Sequence, residues 1–221
     1  MLTRQSWTDF ILGYYICQSC WFVDRDDERI RVGYPCGRCG VPSPGGFTYF
    51  DITVGAIADL IAEFYPLPDP TLHTPLNNTE PPRESHSLAI LVFFCTLGEI
   101  LLQHFLECCM LNLNIALNVR KRLFDDNFFK QRLDNLFPSL VGVSWKNAVK
   151  AAAKNSHAEF QSAVDFYIVA SKRRNKLLHL GEKWDMPPDM AKRCFDNMVP
   201  LIRLFIELNN TYLAKPIPLA H

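Results

Sequence analysis

The spacing Cys17-x-x-Cys20, fifteen residues, Cys36-x-x-Cys39 constrains this chain more than any other feature. Each C-x-x-C pair presents two sulfurs on one side of a tight knuckle, and Gly37 and Gly40 relieve backbone crowding around the second pair. Two knuckles on adjacent hairpins complete a tetrahedron, the geometry of a four-thiolate zinc site. Four thiolates leave no open position, so the expected role of the zinc ion is structural. A module of this size has little core, and the metal would supply its folding energy.

The remaining cysteines, Cys95, Cys108, Cys109 and Cys194, sit in apolar helical contexts and read as small core residues. A disulfide framework suits short secreted chains, not one of 221 residues. Lys plus Arg and Asp plus Glu number 23 each. The whole-molecule field therefore does not favour nucleic acid, and any basic patch must be local. The opening MLTRQSWTDF has no apolar run of signal-peptide length, so the expected compartment is the cytoplasm. The most apolar stretch, Leu88 to Leu97, is followed by Gly98-Glu99, Gln103, His104 and Glu107. A membrane span needs about 20 apolar residues with few charges, so this segment reads as a buried helix, with no membrane partner.

The chain divides into three parts. Residues 1–50 read as a β-rich zinc ribbon of two strand-and-knuckle units, GYYICQSCWFV and RIRVGYPCGRCG. Residues 51–83 hold a helix capped by Asp51, then a linker in which six prolines between Pro66 and Arg83 interrupt every period. Residues 84–221 read as a helical bundle, with helices near 85–112, 113–134, 144–155, 157–180 and 187–213. Pro138 and Gly142 should punctuate these helices, Pro187 and Pro188 suit the first turn of the last one, Pro200 should kink it, and Gly181 should end the one before. The fold class is mainly α, a bundle with a small N-terminal ribbon. Tyr14, Tyr15, Trp21, Phe22, Arg25, Arg29, Arg31 and Arg38 make the ribbon either a contact surface for nucleic acid or a partner, or a cap on the bundle.

A charge sits where a core residue belongs. With about 100° per residue, Phe160, Val164, Tyr167, Ser171, Arg174 and Leu178 share one line of their helix. Arg is almost never fully buried unless paired. On the earlier helix, Leu88, Cys95, Glu99, Leu102 and Leu106 share a line, so Glu99 is the expected partner of Arg174. That pair either fixes helix register or lines a cleft. Asn175 lies four residues before His179 on one face and is placed to orient its imidazole. Arg174 and His179 are five residues apart, about 140° on a straight helix. They converge if the Arg stem wraps round, or if a second copy supplies the partner group across a two-fold axis.

RNKLLH, closing a long helix in an all-α context after TLGEILL, resembles the R-x(4–6)-H motif of the HEPN superfamily in its Arg-Asn form. The resemblance covers roughly residues 85–213 and implies a helical bundle acting as a homodimeric, metal-independent RNase. It also implies a role in stress response or phage defence, as a toxin held by an antitoxin or other regulatory partner. Gly181 stands where an H-x-Tyr variant would carry Tyr, which departs from the AMP-transferring branch. Carried onto this chain, the resemblance makes Arg174, His179, Asn175 and Glu99 the site residues.

RNA carries its own nucleophile, the 2′-OH, and cleavage needs a proton acceptor, a proton donor and positive charge on the phosphoryl oxygens. His fills either proton role near neutral pH, and Arg offers a permanent charge with a phosphate-fitting fork. Products would be a 2′,3′-cyclic phosphate and a 5′-OH. SKRRNK and NVRKRLF supply local cations, which are otherwise solvated helix faces. The competing expectation is a non-catalytic module that binds nucleic acid or protein, through the bundle or through the ribbon.

Overall fold

The computed structural model describes residues 7–25, 33–42, 47–65, 84–155, 158–180 and 186–214. The expected linker (66–83), Gly181, Arg29 and Arg31 lie outside the described residues. The chain is mainly helical with a small two-stranded sheet near its N-terminus.

A helix precedes the ribbon, in a region whose sequence reads as β-rich. This helix, α1 (Trp7–Leu12), spans less than two turns and is held from outside. Asp59 accepts from the backbone N–H groups of Trp7 (2.6 Å) and Thr8 (3.2 Å) and from the Thr8 hydroxyl (2.5 Å). One carboxylate from another helix thus satisfies donors that a short helix leaves open. The strands β1 (Tyr14–Ile16) and β2 (Val23–Arg25) pair antiparallel around the first knuckle. Asp59 belongs to α2 (Ile52–Phe64), which starts as expected: Asp51 caps it by accepting from the Thr53 N–H at 2.7 Å. Gly55 lets α1 approach, since a Cβ there would lie 2.7 Å from the Thr8 Cα.

The central element is α3 (Glu84–Asn112), packed against α2 and the later helices of the bundle. It is long and apolar enough to cross a membrane by length and composition, and half of its most apolar window is buried inside the molecule. Ile90, Phe94, Leu97, Leu101 and Phe105 are fully buried. Cys95, Cys108, Cys109 and Cys194 are buried core residues, as their apolar contexts require. Burial pushes the Cys95 thiol up to about 11 and the Cys108 thiol up to about 12.

The single helix expected over 113–134 is two. Asn114 turns the chain in the left-handed region, with φ 56°, and α4 (Leu117–Asp125) follows. After a break come α5 (Phe129–Gln131), a π-helical turn (Arg132–Leu136) and α6 (Phe137–Val141). Pro138 does not end this run. It lacks an N–H and crowds the carbonyl four residues back, and the chain accommodates it by widening to a π turn, with Phe137 N–H donating to the Arg132 carbonyl. The run ends at Gly142, with φ 83°. Next are α7 (Trp145–Asn155), α8 (Glu159–Leu180) and α9 (Met190–Tyr212). Pro187 and Pro188 lie before α9 rather than in its first turn: the Met190 N–H donates to the Pro187 carbonyl in the turn that leads in. The helix continues through Pro200.

One hydrophobic core joins the ribbon to the bundle. Tyr49 and Phe50 pack against His104 of α3, at ring separations of 4.8 and 5.7 Å. Where α3 and α8 cross, Gly98 faces the Tyr167 ring, and a Cβ would fall 2.1 Å from it. The Tyr167 hydroxyl, brought down by that contact, donates to the Cys95 carbonyl at 3.2 Å.

Candidate functional site

The four cysteines meet. Sγ atoms of Cys17, Cys20, Cys36 and Cys39 all lie within 4.8 Å of one another, with Cys17–Cys39 at 3.7 Å and Cys20–Cys36 at 3.9 Å. This is a tetrathiolate set within metal-binding distance. The two knuckles share one hydrogen-bond pattern. In the first, Trp21 N–H donates to Cys17 O (2.7 Å) and Cys17 N–H to Phe22 O (2.9 Å). In the second, Gly40 N–H donates to Cys36 O (2.8 Å) and Cys36 N–H to Val41 O (2.9 Å). Such a turn needs a left-handed residue after its second cysteine. Gly40 takes it at φ 70° without cost, and Trp21 takes it at φ 61° against its Cβ. As bare thiols, Cys20 and Cys36 differ. Burial pushes Cys20 up to about 12; at Cys36 burial is outweighed by the backbone N–H groups of Cys39 and Arg38, which bring it down to about 7.

The first knuckle is fastened to the bundle by α9. Asn209, fully buried, donates to the Trp21 carbonyl at 2.7 Å. Asn210 accepts from Val23 N–H (2.7 Å) and donates to Val23 O (2.8 Å), filling the outer edge of β2. Sequence reasoning missed both residues. The signal was there: Asn209 follows Leu201, Phe205 and Leu208 on the apolar side of α9, where an amide needs a partner. Of the aromatic and basic side chains expected to form a contact surface, three are engaged by their neighbours. Tyr14 is buried, Arg25 lies 4.3 Å over the Phe10 ring, and Arg38 lies 5.0 Å over the Phe22 ring.

At the other site the structure brings Arg174 and Glu99 together as helical phase predicts, with Nη1 2.7 Å from Oε1. Both are partly open, their side chains 16% and 33% exposed. Burial works against the Arg174 charge, but Glu99 more than offsets it and the guanidinium stays above its ordinary pKa. Asn175 departs from the expected arrangement. Its Oδ1 accepts from Arg174 Nε (3.2 Å) and Nη2 (3.1 Å), so it extends the ion pair instead of orienting His179. The reason is geometric: a neighbouring guanidinium fork reaches the amide before an imidazole one turn further along a helix that is leaving the bundle. His179 is exposed and makes no hydrogen bond to a described residue.

Exposure along the α8 line records that departure. Phe160, Val164 and Tyr167 are buried, Ser171 and Arg174 half-buried, and Leu178, expected in the core, is 60% exposed. Lys172, Asn175, Lys176 and His179 are exposed too, and Ile168 and Val169 are about half so. The last turns of α8 therefore present a mixed basic and apolar surface. No protein-family model, curated protein or solved structure matches this chain.

Proposed function

We propose that the protein is a metal-independent, homodimeric endoribonuclease of HEPN type, stapled at its N-terminal end by a structural zinc ion. The observation that carries the reading is the Glu99–Arg174–Asn175 chain on the helix that ends in an exposed His179. A guanidinium fixed by an acid is a positioned phosphate clamp, and an exposed imidazole is a side chain suited to carrying a proton. Cations at Lys172, Arg173 and Lys176 surround them. Because Arg174 and His179 diverge by about 140° around the helix, a second copy completes the site, and the exposed Leu178 beside them supports an apolar contact for it. The 2′-OH attacks the adjacent phosphorus, one His179 takes its proton, and the other protonates the departing 5′-oxygen.

Zinc fits the thiolates. A tetrahedron with bonds of about 2.3 Å has sulfur–sulfur edges of about 3.8 Å, close to the 3.7 and 3.9 Å found. Chain sulfurs fill all four positions, and the staple takes no part in cleavage.

The test is RNA cleavage by zinc-loaded protein in magnesium-free buffer. Products should carry 2′,3′-cyclic phosphate ends, and His179→Ala should slow the reaction at least about a hundredfold. Equal rates for wild type and variant at equal zinc content would sink the nuclease reading. One observation favours a second reading, a non-catalytic binding module. Of the five guanidinium N–H donors of Arg174, three are already taken by Glu99 and Asn175.

A further inference from the structure

A cavity of about 420 Å³ opens beside α8, between α3, α5, the π turn, α7 and α9. Its wall is apolar: Leu102, Phe129, Trp145, Val164, Leu201 and Phe205. Its rim is not. Lys130, Ser171, Lys172 and Asn175 stand there, with Asp134 as the one acid. Neither ammonium has an ion-pair partner among the described residues. Arg174 holds Asn175 by its Oδ1, which leaves Nδ2 as the donor end of an amide whose position Glu99 fixes in turn. Gly98, whose missing side chain admits the Tyr167 ring, and the short Ser171 also line the space, with Leu133 and Asp134 of the π turn.

We propose that this cavity binds an amphipathic organic anion, its apolar body among the aromatic wall residues and its carboxylate or phosphate at Lys172 and Asn175. Size and lining match a small-molecule pocket, which is mostly apolar with a few fixed polar groups. The charge at the rim selects the sign of the head group. The wall argues against a nucleobase: the Tyr167 hydroxyl already donates to Cys95 O, and the Trp145 indole is the remaining donor along it. A base would leave most of its ring acceptors and donors unpaired, at a cost an alkyl or aryl body does not incur. Ile168, Lys172, Asn175 and His179 follow one another at i, i+4, i+7 and i+11, so an occupant would sit against the same face of α8 that carries the imidazole.

The site does not depend on the nuclease reading, and the two can fail separately. The full zinc-loaded chain is titrated with hexanoate, octanoate and decanoate below their micelle concentrations, with calorimetry as the readout. One decanoate should bind per chain, and affinity should rise about fourfold for each added methylene. Decyltrimethylammonium should bind at least tenfold more weakly, and Lys172→Glu should abolish that preference. Ile168→Asp, at a half-exposed rim position, should weaken decanoate at least tenfold without changing the circular dichroism or melting temperature. His179→Ala should bind decanoate as wild type does, whatever its effect on RNA. Affinity independent of chain length, equal binding of the cation, an unaffected Ile168→Asp, or a mononucleotide binding as tightly as decanoate would each overturn the proposal.

Discussion

The two polar clusters of this molecule use similar chemistry to opposite ends. At the four-cysteine end, Asn209 and Asn210 of α9 grip the backbone of the first knuckle, at Trp21 and Val23, and the contact is closed to water at Asn209. At the motif end, Glu99, Arg174 and Asn175 grip one another, and every member keeps part of its surface in solvent. The first cluster consumes its donors on the chain itself. The second holds side chains in position with donors to spare. The difference separates polar groups that define a fold from polar groups available to a ligand.

Metal removal should have the largest effect. Stripping the proposed zinc ion, or Cys20→Ser, should remove the closure between two knuckles whose backbone turns are otherwise short. Apparent binding energies for such structural sites are on the order of 10 kcal/mol, so the ribbon should unfold while most helical dichroism persists. Hydrogen exchange would localise the loss to residues 14–25 and 33–42; loss of the whole bundle would mean the four-cysteine end governs the core rather than capping it. Gly98→Ala comes next, at about 3 kcal/mol or more, because its Cβ must displace a buried tyrosine ring tied at its hydroxyl. Denaturant melts would check it, and a cost below about 1 kcal/mol would mean that α3 and α8 slide apart easily.

Removing one member from each cluster compares them directly. Asn209→Ala should cost about 1–2 kcal/mol, since it orphans the Trp21 carbonyl but also removes an Oδ1 that is buried without a partner. Glu99→Gln should cost about 1 kcal/mol, because Arg174, although relieved of its counter-charge, is close enough to solvent to be hydrated. Equal losses in 1 M salt would contradict the comparison, for screening should reduce the second and leave the first.

What the sequence revealed depended on how local each signal was. The cysteine spacing carried both knuckles, because a C-x-x-C turn is closed by its own backbone. Helical phase carried Glu99 and Arg174, because both lie on long straight elements where rotation accumulates predictably. Phase failed at Leu178, since periodicity shows which side of a helix faces the core but not where the core stops. The Asn175 partner failed for a related reason: i,i+4 proximity competes with a longer side chain one residue away. Pro138 misled because a proline that ends an α-helix can also be absorbed by a π turn. The cavity is beyond such reading, being the volume left where five separately predicted elements fail to meet.

His179→Ala should have the smallest effect on the fold. The imidazole is exposed and has no hydrogen-bond partner among the described residues, so its loss should change stability by less than about 0.5 kcal/mol. Denaturant melts of wild type and variant at pH 8 check it. A loss of 2 kcal/mol or more at pH 8 would make His179 a structural residue and dissolve the contrast between the two ends. A thermally silent variant that has lost cleavage would be the signature of a side chain kept for chemistry alone.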